Sequence, residues 1–168
     1  MCRESIALAG GGQTTNPNDA DNNGFIDCWR EVMIGLAGIL DTSWGEVRTA
    51  ADGTQSTHWA IDFNKPKTNI SGLEIHSVSN GTVTYISPDA STNGGNYIII
   101  TANDGTVWTY CHLQTKSPLV VNANVIAGST IIGQVGNTGT STGAHLHLQC
   151  KQNGNLIDPR LKIGSSDC

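Results

Sequence analysis

N-Y-I-I-I-T-A-N-D-G-T-V-W-T-Y-C-H-L, residues 96–113, reads as two strands folded about a tight turn. Isoleucine, valine, threonine, tyrosine and tryptophan suit the pleated, half-buried backbone of a strand. The Asp104-Gly105 pair between the two runs supplies the turn chemistry of a hairpin. The same texture continues on both sides, in E-I-H-S-V (74–78), G-T-V-T-Y-I (81–86), S-T-I-I-G-Q-V (129–135) and A-H-L-H-L-Q-C (144–150). S-N-G, S-T-N-G-G, N-D-G and G-N-T-G separate these runs as turn signals. No internal repeat is visible. The chain therefore divides into a mainly β domain over residues 41–168 and a compositionally different N-terminal extension over residues 1–40.

The bulk composition agrees with that division. Of 168 residues only 14% are charged and 20 are glycine, which suits a turn-rich, all-β, exported protein better than a helical cytosolic one. A net charge of −5 leaves no basic patch and excludes nucleic acid as a partner. The most apolar stretch, residues 32–40, is too short to span a membrane and carries two glycines. It also lies too deep in the chain to be a signal peptide. Five cysteines favour an oxidising compartment, so the expected location is secreted or periplasmic, and the expected state is a monomer. The odd count leaves one thiol unpaired or paired between chains.

The extension carries two features. D-A-D-N-N-G-F-I-D, residues 19–27, places oxygen-bearing side chains where a calcium loop needs them. Asp19, Asp21, Asn23 and Asp27 are candidate side-chain ligands and Phe25 a candidate carbonyl ligand, with Arg30 standing where an EF-hand has its glutamate. The run is closer to the D-x-D-x-D-G-x-x-D-x-W-E calcium loops of bacterial extracellular repeats. The alternative is a solvated Asp/Asn turn capping the next element. That element, residues 28–40, puts Trp29, Val32, Met33, Leu36 and Leu40 near one face of a short helix, against the weakening presence of Gly35 and Gly38.

Four of the five histidines sit with one aspartate in a spacing that points to a metal. They are His58 and Asp62 in H-W-A-I-D, His112 in Y-C-H-L, and His145 and His147 in H-L-H. Imidazole and carboxylate are the donor set of a catalytic zinc, which keeps one position open for water. Strand alternation turns His145 and His147 to one face and Leu146, Leu148 and Cys150 to a core. The same rule groups Trp108, Tyr110 and His112 on one face of their strand, with Val107, Thr109, Cys111 and Leu113 on the other. Cys111 and Cys150 thus both turn away from the histidines and read as a disulfide behind the site or as two buried thiols. Cys2, Cys28 and Cys168 are left without an assigned role. Trp108 and Tyr110 are candidate groove contacts, or ordinary packing of the hairpin. His76 reads as a partly buried polar residue. Spacing alone does not say which of the five residues bind metal.

At H-W-A-I-D, Y-C-H-L and G-N-T-G-T-S-T-G-A-H-L-H (136–147) the chain resembles the lysostaphin-type (LytM-domain) zinc metallopeptidases, which cleave bacterial peptidoglycan crosslinks. S-W-G-E-V-R (43–48), N-G-G-N-Y-I-I-I (93–100) and V-I-A-G-S-T-I-I-G-Q-V-G (125–136) extend the resemblance, which covers about residues 41–162. It implies an antiparallel β-sheet fold with a groove over the sheet. It implies one zinc ion per chain held by His58, Asp62 and His147, with His112 and His145 unligated and catalytic. Two departures stand out. Ala60 replaces the family's usual glycine, with a methyl expected to narrow the groove. No tyrosine occurs from Asp41 to His58, where some members carry a transition-state donor.

The function expected from these residues is zinc-dependent hydrolysis of peptidoglycan stem peptides or crossbridges. Two other readings compete: a non-catalytic module of the same fold that binds wall or a partner, and a zinc peptidase acting on glycine-rich proteins. All five positions are filled here, which favours the enzyme.

Overall fold

The computed structural model describes residues 23–26, 40–42, 44–65 and 67–163. Twelve strands run through them: β1 Leu40–Thr42, β2 Glu46–Thr49, β3 Gln55–His58, β4 Ile61–Asn64, β5 Glu74–His76, β6 Gly81–Ile86, β7 Asn96–Ala102, β8 Val107–Leu113, β9 Asn124–Val125, β10 Ile131–Gln134, β11 Leu146–Gln152 and β12 Asn155–Ile157. The helical content of the described residues is one 3-10 turn, Pro159–Leu161, capped by the Asp158 side chain. An eight-stranded sheet has the order β1-β4-β11-β8-β7-β6-β9, with β12 paired to β11. β10 with β5 and β2 with β3 form two further pairs, and every pairing is antiparallel.

The expected hairpin is β7 and β8, and it is the centre of the sheet. Asp104 closes it: its side chain accepts from the Thr106 N–H and hydroxyl, and Gly105 takes φ +85 behind it. Along β7, Asn96, Ile98, Ile100 and Ala102 are buried while the residues between them are half-exposed. Each fully buried isoleucine or leucine of this kind contributes about 1.5–3 kcal/mol relative to an exposed one. Trp108 and Tyr110 of β8, Leu146, Leu148 and Cys150 of β11, and Ile61 and Phe63 of β4 complete the same buried face. Ile75, Val78, Ile132 and Val135, on β5, β10 and their flanks, cover it from the other side. Tyr110 can afford burial because its hydroxyl takes the Val78 N–H at 2.9 Å.

Trp108 and Tyr110 are therefore packing residues, both fully buried, and not groove contacts. Ala60 is also fully buried and is not among the residues that line the groove, so its methyl does not narrow it. His76 is a buried residue of β5, its Nε2 3.9 Å from Glu74 Oε2.

Phe25 and Ile26 of the extension pack into this core, Phe25 bridging to Ser79 and Ile26 N donating to the Val78 carbonyl at 3.0 Å. Leu40, placed by the sequence pattern at the end of a helix, begins strand β1; residues 28–39 of that segment lie outside the described residues. Asn23 Oδ1 accepts from Phe25 N at 2.8 Å. The other candidate calcium ligands, Asp19, Asp21 and Asp27, lie outside the described residues, as do Cys2, Cys28 and Cys168.

Candidate metal centre

The open face of the sheet is a groove, and strand register decides what stands in it. His147 on β11 lies opposite Asp62 on β4 and opposite Cys111 on β8, so the three side chains form a row across neighbouring strands. His58 arrives from the side. It ends β3, and after Trp59 and Ala60 the chain returns as β4, which brings His58 and Asp62 together without a helix.

Three donor atoms converge. His147 Nδ1 is 2.9 Å from Asp62 Oδ1, His58 Nε2 is 3.3 Å from the same oxygen, and the two imidazole nitrogens are 3.0 Å apart. Two ligands on a tetrahedral ion with bonds of about 2.0–2.1 Å lie about 3.3 Å apart. The three donors are thus close to the spacing a zinc ion requires, and they fit it in type and geometry.

Asp62 is ionised and oriented. Burial pushes its pKa up, but hydrogen bonds from His147, His58 and Arg48 outweigh that and hold it well below the usual carboxylate range. Oδ1 faces the histidines, while Oδ2 takes a 2.7 Å bond from Arg48 Nη2 on β2. Arg48 also reaches Glu46 Oε2 at 3.2 Å. The sequence carried Arg48 only as part of S-W-G-E-V-R. Its contact with Asp62 had no spacing signal, because the two meet through the β2–β3 hairpin.

His112 and His145 stand beside this triad, their ring centroids 4.7 Å apart. His112 Nδ1 is 2.8 Å from the Thr138 carbonyl oxygen, and His145 Nδ1 is 2.8 Å from the Gly143 carbonyl oxygen with Ser141 Oγ at 3.2 Å. A carbonyl only accepts, so Nδ1 carries the proton in both rings and Nε2 is left as a base. His145 Nε2 lies 3.7 Å from Asp62 Oδ1, toward the three donors. Burial, with His145 and His147 nearby, keeps the His112 pKa below the ordinary histidine value, which leaves that ring neutral near pH 7. His112, His145 and His147 also lie close enough to form a second donor set, but it shares His147 and lacks a carboxylate.

His112 reaches the groove against the alternation rule. Trp108 and Tyr110 occupy the core face of β8, so strict alternation would bury His112 with them. His112 instead has φ +63, a left-handed backbone, and the switch turns its ring to the groove and Leu113 into the core. The core placement of Trp108 and Tyr110 also corrects the cysteines. Cys111 lines the groove beside His112, whereas Cys150 is buried in the core behind β11, and both are free thiols. Opposite faces of one sheet cannot be bridged by a disulfide. Burial pushes both thiols up to about 12, so both are protonated at neutral pH.

The rest of the groove is small and uncharged, lined by Ser56, Asn93, Gly94, Thr140, Ser141 and Gly143 among others. The sequence profile of peptidase family M23 matches residues 56–159, more than half of the chain. The chain belongs to peptidase family M23. Within that family it is 31% identical over 106 residues to the DD-carboxypeptidase/endopeptidase Mpg of Neisseria meningitidis, a match covering 63% of this chain and 23% of that protein. It is 31% identical over 108 residues to the peptidoglycan DD-endopeptidase ShyC of Vibrio cholerae, covering 64% and 23%. The chain thus spans about a quarter of the length of these curated relatives. The catalytic domain of lysostaphin from Staphylococcus simulans superposes with a TM-score of 0.61 at 30% identity, over 76% of this chain and 93% of that domain. The expected fold is the M23 fold: antiparallel sheet, groove and histidine cluster in place. No helix among the described residues is long and apolar enough to cross a membrane.

Proposed function

We propose that this M23 chain is a zinc-dependent endopeptidase that hydrolyses peptide crosslinks of bacterial peptidoglycan. The observation that carries the reading is the meeting of His58 Nε2, Asp62 Oδ1 and His147 Nδ1 at 2.9–3.3 Å beside two histidines whose Nε2 atoms are free to act as bases. His58, Asp62 and His147 would hold a zinc ion, which would supply a water acidified toward neutrality and a Lewis acid for the scissile carbonyl.

The chain's own residues do the rest. Asp62, ionised by its hydrogen bonds, contributes the negative charge of the ligand set. Nε2 of His145 or His112 takes a proton from the nucleophile and returns it to the leaving amine. The other ring, when it has taken a proton from solvent at Nε2, hydrogen-bonds the developing oxyanion. Ser141 and the Gly143 carbonyl hold the His145 ring, and the Thr138 carbonyl holds His112. A groove of glycine, serine and threonine accepts an extended peptide of small, uncharged residues. Its natural substrate lies outside the cytoplasm, so the site of action is periplasmic or extracellular. The relatives' names support a peptidoglycan substrate. Calcium has no part in this reading.

The test is digestion of purified sacculi of glycine-bridged and D-alanyl-crosslinked types, with mass analysis of the fragments and elemental analysis of the protein. One zinc per chain and release of uncrosslinked stem peptides are expected. His145→Ala should keep zinc and lose roughly 10²–10⁴-fold in rate. A protein without bound zinc, or no fragments from either wall type, refutes the proposal.

A further inference from the structure

Thr138, in the loop between β10 and β11, makes three contacts at the point where β8 breaks alternation. Its carbonyl oxygen accepts from His112 Nδ1 at 2.8 Å, its Oγ1 donates to the Leu113 carbonyl at 2.7 Å, and the same Oγ1 accepts from Asn96 N at 3.0 Å. One residue therefore holds the ring of His112, the peptide that follows it and the start of β7.

The surroundings leave this residue no freedom. Gly95 and Gly139 both have positive φ and pack backbone on backbone. A Cβ on Gly95 would lie 2.4 Å from the Thr138 carbonyl carbon, and one on Gly139 would lie 2.3 Å from Gly95 N. Gly136 is equally tight, its Cβ position 2.3 Å from Gln114 N. Thr140 N donates to the Asn93 carbonyl at 2.8 Å, and His112 N to the Gly94 carbonyl at 2.8 Å. Three loops are thus fastened together, backbone against backbone at these glycines and through the Thr138 hydroxyl. A histidine at φ +63 stays in that uncommon conformation only when its surroundings over-determine it.

We propose that Thr138 is a positioning residue of the hydrolytic reaction: its hydroxyl locks the left-handed turn at His112, and its carbonyl fixes the ring as the Nδ1–H form with Nε2 aimed into the groove. The inference rests on the reading above that His112 Nε2 acts on the reacting groups, as proton carrier or as oxyanion donor. Thr138 touches no donor of the metal triad, so its loss acts on turnover and not on zinc.

The experiment compares zinc-loaded Thr138→Val, Thr138→Ser and His112→Ala with the parent on a purified crosslinked muropeptide. Thr138→Val keeps the shape and deletes both Oγ1 bonds. It should lower kcat by roughly 10–100-fold, the usual cost of removing an orienting partner, with KM within about twofold and zinc still one per chain. Thr138→Ser keeps the hydroxyl and should stay within about threefold of the parent. A Thr138→Val protein with parental kcat beside an inactive His112→Ala overturns the positioning role alone. A fully active His112→Ala removes the reading beneath it. Should Thr138→Val fail to fold, nitrogen-15 NMR of the parent decides: a slowly exchanging proton on His112 Nδ1 supports the inference, and the Nε2–H form overturns it.

Discussion

Replacing Arg48 by alanine takes the cation away from the outer oxygen of Asp62. The bond removed is 2.7 Å long and ends on a side chain only 9% exposed, whereas the Arg48 side chain is 43% exposed. Arg48 stands half in water, so its own loss costs the fold little, and the histidines still hydrogen-bond the buried Asp62; the change in global stability should be small. The effect should fall on the metal. With Oδ2 anchored, only Oδ1 faces His58 and His147, and the carboxylate is already in the ligating pose. Without the anchor it must be ordered at the moment of binding. Residues that orient a metal ligand cost 10–100-fold in affinity when removed. Half-exposure of Arg48 places the expected loss nearer tenfold, which is about 1.4 kcal/mol. Arg48→Lys should fall between, since one ammonium cannot serve Glu46 and Asp62 with the geometry of a guanidinium. Competition with a chromophoric chelator on metal-stripped protein measures zinc affinity directly. Arg48→Ala with zinc affinity within twofold of the parent would refute the anchoring argument, whatever its activity.

Two further outcomes follow from the charge and thiol environments. Burial raises the Asp104 pKa, but Lys162 and Thr106 outweigh it and depress the folded value. A depressed carboxylate stabilises above its unfolded pKa of about 3.9 and loses that contribution as pH falls through the folded value. Asp104→Asn should therefore melt below the parent at pH 6–7, and the gap should shrink as pH falls below about 3.9; a gap that stays constant on acidification contradicts the assignment. For the thiols, a pKa of about 12 leaves about one molecule in ten thousand as thiolate at pH 8. Peptides carrying Cys111 and Cys150 should alkylate far more slowly in folded than in unfolded protein, and non-reducing peptide mapping should find no link between them. A recovered Cys111–Cys150 linked peptide would contradict the opposite-face placement.

Local pattern was enough for the strands that bury one side. In β7 and β11 apolar residues alternate with polar ones, and the Asp104-Gly105 turn joins β7 to β8, because a two-sided sheet writes its period into the chain. The hairpin β2–β3 left no such mark. From Glu46 to Thr57 its residues are exposed, Val47 by 58%, so no apolar period existed to read; the Asp52-Gly53 pair at its turn was the available signal.

By itself the sequence determined the chemistry of the site: which donor types are present, that His145 and His147 share a face, and that Leu146, Leu148 and Cys150 take the other. Tertiary structure alone decided where His112, Cys111 and Arg48 stand. Alternation is a local rule that holds until one residue turns left-handed, and the turn at His112 is imposed by Gly94 and Thr138, residues 18 and 26 positions away. That one dihedral sends His112 to the groove and Leu113 to the core, while Trp108 and Tyr110 keep the core side of β8 and Cys111 the groove side. Arg48 meets Asp62 only because β2 folds back along β3, a contact made by distant backbone pairing and not by spacing.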